Sequence, residues 1–128
     1  MKVLIIDDDV IDHELNTRIL EVADNTFCIK SSYNGQEGFQ YISEHLHHSK
    51  ELPDVILLDM NMPVLDGWGF LEEFKNISFD NKTKPSVYIL SSQEVDENKA
   101  KEFQVAGYYS KPLNFSAISQ IVSRFNKN

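Results

Sequence analysis

The chain has 128 residues, 41% hydrophobic and 25% charged, which is the size and balance of one globular domain with a single core. Its net charge of −8 works against direct nucleic-acid binding, where affinity comes from Lys and Arg neutralising phosphates. The apolar runs Val3 to Ile6 and Val55 to Leu58 fall far short of the roughly 20 residues that cross a bilayer, and the N-terminus lacks a signal-peptide pattern, so a cytoplasmic protein without membrane contact is expected.

The first run, ended by Asp7, Asp8 and Asp9, reads as a strand buried on both faces. From Val10 onward Ile11, Leu15, Ile19 and Val22 recur at helical spacing and predict the inner face of a first helix, with Asp8 or Asp9 as its cap. Thr26 to Ser32 is rich in β-formers and predicts a second strand. It carries the single cysteine, Cys28, which cannot form an internal disulfide and, between Phe27 and Ile29, is expected to be a buried thiol. Asn34 to Glu37 resembles a capping box before a helix bearing Phe39, Ile42 and Leu46, in which Gly38 is mildly unfavourable.

Pro53 opens a third strand through Leu58. Beyond the turn at Pro63, Trp68, Leu71, Phe74 and Ile77 share one helical face, followed by a polar loop over 76–85. Ser86 to Leu90 predicts a fourth strand, Val95 to Gln104 a fourth helix and Gly107 to Ser110 a short fifth strand. Phe115, Ile118, Val122 and Phe125 predict the inner face of a last helix. This alternation implies an α/β fold, a doubly wound five-stranded parallel sheet with helices on both faces.

In such sheets, ligands bind beyond the carboxyl ends of the strands. The residues just past the strands are Asp7, Asp8, Asp59, Ser91 and Lys111, all expected on one edge. Clustered carboxylates raise one another's pKa values unless a cation sits among them, and hard oxygen donors suit Mg²⁺. A metal and an ammonium together can neutralise a phosphoryl group moving onto a carboxylate. Taken singly, each residue has an ordinary reading: a solvated helix cap for the Asp run, a turn former for Asp59, a loop for Ser91 and a strand end for Lys111. Their convergence on one edge is what points to chemistry.

The segments VLIIDDD at 3–9, PDVILLDMNMPVLDG at 53–67, ILSS at 89–92 and KP at 111–112 resemble the four signatures of response-regulator receiver domains and span nearly the whole chain. The resemblance implies the flavodoxin-like strand order 2-1-3-4-5, the order of a chemotaxis receiver. It implies that Asp59 is the phospho-acceptor, that Asp8 binds Mg²⁺ directly and Asp7 mainly through water, that Asn61 offers a backbone carbonyl, and that Lys111 pairs with the phosphate. Ser91 and Tyr108 would be the switch pair, and Asn61 and Gln93 would tune the phosphoryl lifetime. A cis peptide would precede Pro112.

The expected protein is thus a stand-alone receiver over 1–128 with no output domain, a switch rather than an enzyme. Its donor would be a histidine kinase or phosphotransfer protein, and its output an unidentified protein docking on helix four, strand five and helix five. It would be a monomer or a weak phosphorylation-dependent dimer. Two rivals stand beside this reading. One is an aspartyl-phosphate hydrolase of the haloacid dehalogenase type, suggested by Asp7-x-Asp9 after an apolar strand, although no acid follows Glu102 to complete its metal site. The other is an interaction module that no longer takes phosphate. His45, His47 and His48 lack the i, i+4 spacing of zinc helices and read as a solvated helix end, and His13 is assigned no role.

Overall fold

The computed structural model describes residues 1–48, 50–80 and 82–127. Strands β1 (Lys2–Ile6), β2 (Cys28–Ser32), β3 (Val55–Asp59), β4 (Ser86–Ser91) and β5 (Gly107–Ser110) form one parallel sheet in the order β2-β1-β3-β4-β5. Between and after them run α1 (Val10–Ala23), α2 (Gly35–Glu44), α3 (Gly67–Phe74), α4 (Glu97–Glu102) and α5 (Phe115–Asn126). Among the described residues no helix is long and apolar enough to cross a membrane.

Strand alternation divides the core in two. Leu4, Ile6, Ile56, Leu58 and Ile89 face a cluster with Ile42 of α2, Phe70, Leu71 and Phe74 of α3, and Ala100 of α4. Val3, Ile5, Val55, Leu57 and Leu90 face the opposite cluster with Leu20 of α1 and Ala117, Ile118 and Ile121 of α5. The central strands are therefore apolar from Val3 to Ile6 and from Val55 to Leu58, because both faces are covered.

Helix rotation departs from the apolar periodicity in two places. In α1 the buried residues are His13, Asn16 and Leu20, whereas Ile11, Leu15 and Val22 are 67%, 54% and 75% exposed. The start of α1 sets this rotation: the Asp9 side chain accepts from the Ile11 and Asp12 N–H groups, and His13 Nε2 lies 2.6 Å from the Asp7 carbonyl and 3.0 Å from that of Ser32. In α5 the inner face is Ala117, Ile118 and Ile121, with Val122 half-buried, while Phe115 and Phe125 are exposed. Cys28 is also exposed, because it begins an edge strand with a neighbour on one side only.

Asn34 caps α2 by accepting from the Glu37 N–H at 2.7 Å, and a Cβ on Gly38 would lie 2.5 Å from Ile6 Cδ1. The glycine that looks unfavourable by propensity is what lets α2 lie on β1. Helix α4 is shorter than the span from Val95 to Gln104 expected from the sequence. Asp96 caps it, and Gln104 turns to φ 57 directly after its C-cap, the left-handed conformation that ends helices.

Gly67 opens α3 directly against the end of β3. A Cβ there would stand 2.7 Å from Met60 Cα and 2.8 Å from the Asp59 carbonyl oxygen, backbone atoms that cannot step aside. Gly67→Ala is expected to cost about 1–3 kcal/mol, the usual penalty of overpacking, readable as a lower urea midpoint at unchanged m-value.

Candidate functional site

The register of the sheet assembles the site. Ile6 pairs with Leu58, so the next residues, Asp7 and Asp59, stand side by side. Asp59 is level with Leu90, one residue before Ser91, and Ser91 is level with Ser110, one residue before Lys111. The ends of β1, β3, β4 and β5 thus deliver the candidate residues to the same edge, as the alternation pattern predicts.

Asp7, Asp8 and Asp59 each bring a carboxylate oxygen within 4.8 Å of the others. Asp7 and Asp59 are 2% and 5% exposed, while Asp8 opens to solvent. This cluster of hard oxygen donors, partly open to water, suits Mg²⁺ in charge and ligand type. The Asn61 N–H donates to Asp59 Oδ1 at 3.3 Å. Lys111, joined to Pro112 by a cis peptide, reaches back over the group: its Nζ donates to Asp7 Oδ2 at 2.9 Å and lies 3.3 Å from Asp59 Oδ1. It also donates to Asp12 Oδ2 at 2.9 Å.

Asp12, in the first turn of α1, is the member that sequence reasoning missed. Its position five residues past Asp7, one helical turn beyond the Asp9 cap, was the available signal. Asp9, by contrast, is drawn into capping α1 and away from the metal group, so an Asp7-x-Asp9 catalytic pair is not assembled.

Ser91 is 4% exposed, and its Oγ accepts from the Gln93 N–H at 3.1 Å. Tyr108 points outward, 43% exposed, with its hydroxyl donating to Glu97 Oε1 of α4 at 2.5 Å. Tyr109 faces the other way and stacks on Tyr88, as strand alternation requires. A groove of about 450 Å³ lies beside Tyr108, lined by Gln93, Glu94, Val95, Glu97 and the end of β5. His45 Nδ1 lies 2.7 Å from the Tyr41 carbonyl oxygen, and among the described residues no histidine joins an acidic or cysteine cluster.

Burial, and then the neighbouring charge of Asp7, push the Asp59 carboxyl up to about 6, against the opposing pull of Lys111 and the Asn61 N–H. Burial disfavours the Lys111 ammonium too. Its hydrogen bonds to Asp12 and Asp7 and the charges of Asp7 and Asp59 outweigh that and hold it above the usual lysine range.

Residues 3–123 match the family model of the response regulator receiver domain. A probable C4-dicarboxylate response regulator, DctR, of Priestia megaterium is 28% identical over 123 residues, covering 96% of this chain and 50% of that protein. The sensor histidine kinase CheAY of Helicobacter pylori is 28% identical over 95% of this chain and 14% of its own length. A two-component response regulator from Cytophaga hutchinsonii superposes with a TM-score of 0.87 at 32% identity, covering 99% of this chain and 97% of that one. The chain spans about half the length of the first curated relatives, at 50% and 52%.

Because the folded protein holds a proton on Asp59 up to about pH 6, while an unfolded chain releases it near 3.8, metal-free stability from this residue falls as pH rises between those values. Asp59→Asn removes the penalty. The variant is expected to match the wild type below pH 4 and to exceed it by on the order of 1–3 kcal/mol above pH 6, measured by urea unfolding in EDTA.

Proposed function

The chain belongs to the response regulator receiver family, and from that premise we propose that it is a two-component switch whose Asp59 takes a phosphoryl group with Mg²⁺. The observation that carries this reading is the meeting of Asp59, Asp7 and Asp8 with the Lys111 ammonium, 3.3 Å from the Asp59 carboxylate.

Asp59 is the nucleophile. Its oxygen bonds to phosphorus as the bond to the partner's histidine nitrogen breaks. Lys111 neutralises the arriving phosphoryl oxygens, and the Ser91 hydroxyl bonds one of them. Asp8 and Asp59 would hold Mg²⁺ directly, Asp7 through water and Asn61 through its carbonyl. The bound ion supplies further neutralisation of the transferred charge. Asn61 and Gln93, both exposed at the mouth of the site, tune access of water and so the phosphoryl lifetime.

The output follows from Ser91 moving toward the phosphate. Tyr108 then turns into the space that Ser91 leaves and gives up its bond to Glu97. This remodels the surface made by α4, β5 and α5, where a downstream protein docks. The donor is a histidine kinase or phosphotransfer protein, and the setting is cytoplasmic. The capping role of Asp9 favours this reading over a dehalogenase-type hydrolase, which needs that residue in the site.

Incubation with Mg²⁺ and a small phospho-donor is expected to add one phosphoryl mass to the wild type and none to Asp59→Asn, with EDTA abolishing uptake. Absence of the added mass from the wild type, with small donors and with kinases alike, sinks the proposal. Glu97→Ala removes the surface hydrogen bond that holds Tyr108 outward, so the inward population of Tyr108 should rise, read by NMR of ring-labelled tyrosine.

A further inference from the structure

Lys111 has three N–H donors, and at rest two of them bond carboxylates other than Asp59: Asp7 and Asp12, each at 2.9 Å. Asp12 differs from the other two carboxylates around the ammonium. Its side chain is 33% exposed against 2% for Asp7 and 6% for Asp59, so it forms the outer rim of the group while they form its floor. It comes from α1 rather than from a strand end, and its bond draws the ammonium toward that helix. An anion approaching Asp59 therefore meets a fixed negative charge at the rim, and the cation that would receive it is already engaged there.

We propose that Asp12 is a positioning residue for phosphoryl uptake, holding Lys111 toward α1 and discriminating among phospho-donors by their charge. This rests on Asp59 being the acceptor. A dianionic donor suffers the rim carboxylate more than a monoanionic one, because repulsion scales with the product of the charges. Freed from Asp12, the ammonium has a donor to spare for the phosphoryl group.

The test compares acetyl phosphate, a dianion at neutral pH, with phosphoramidate, a monoanion, on the full chain with saturating Mg²⁺. In the first case the donor P–O bond breaks as the bond from Asp59 to phosphorus forms, and acetate leaves with the electron pair. In the second the P–N bond breaks and ammonia leaves. Asp12→Asn is expected to raise the acetyl phosphate rate about fivefold more than the phosphoramidate rate, a gap that narrows as added salt screens the rim charge. Asp12→Ser, a second neutral variant, should move the ratio the same way, and Asp12→Glu, which keeps the charge, should retain the wild-type ratio.

A purely structural role, through the acidic first turn of α1, would lower the unfolding temperature and change both rates by one factor. An unchanged donor ratio in both neutral variants overturns the proposal, as does Asp12→Glu behaving like Asp12→Asn. If the wild type takes phosphate from neither donor, the failure lies instead with Asp59 as acceptor.

Discussion

Two adjacent strands of the sheet end in carboxylates, Asp7 and Asp59, that are both withdrawn from water, and one ammonium from a third strand end holds them together. Removing such a charge from water is costly and is tolerated only when it is paired. Lys111 supplies the pairing from far along the chain, 104 residues from Asp7. The balance remains incomplete: Asp59 is still pushed up to about 6. That residual strain is of the kind a bound cation relieves, and it fits a site made to receive one.

The surrounding architecture keeps these groups in register. The parallel pairing of β1, β3, β4 and β5 sets all their ends at one level. Gly67 brings the start of α3 against the backbone of Met60 and Asp59, and Gly38 brings α2 onto Ile6. On the other side, His13 spans the carbonyls of Asp7 and Ser32 and so ties α1 to the ends of β1 and β2. A buried polar residue thereby fixes the rotation of α1 and leaves Ile11, Leu15 and Val22 in solvent, with Ile19 half-buried.

The buried site and the exposed groove beside Tyr108 differ in kind. At the site, several charged contacts reinforce one another in a poorly hydrated setting. At the groove, one hydrogen bond from an exposed tyrosine to Glu97 holds the outward rotamer, and water competes for an exposed contact of this sort. Such a bond biases a rotamer without locking it.

From the residue order alone came the alternation of strands and helices, and the meeting of Asp7, Asp8, Asp59, Ser91 and Lys111 at one sheet edge. These follow from local rules: an apolar run buried on both faces is a strand, and the residue after it lands on a known edge. Only the tertiary structure decided the burial of His13, Asn16 and Leu20 in place of Ile11 and Leu15, the exposure of Cys28, Phe115 and Phe125, and the need for Gly38 and Gly67. Each depends on what another element presents at that point, which periodicity within one segment does not contain. Asp12 belongs with them, because its significance lies entirely in the distance to Lys111, 99 residues away.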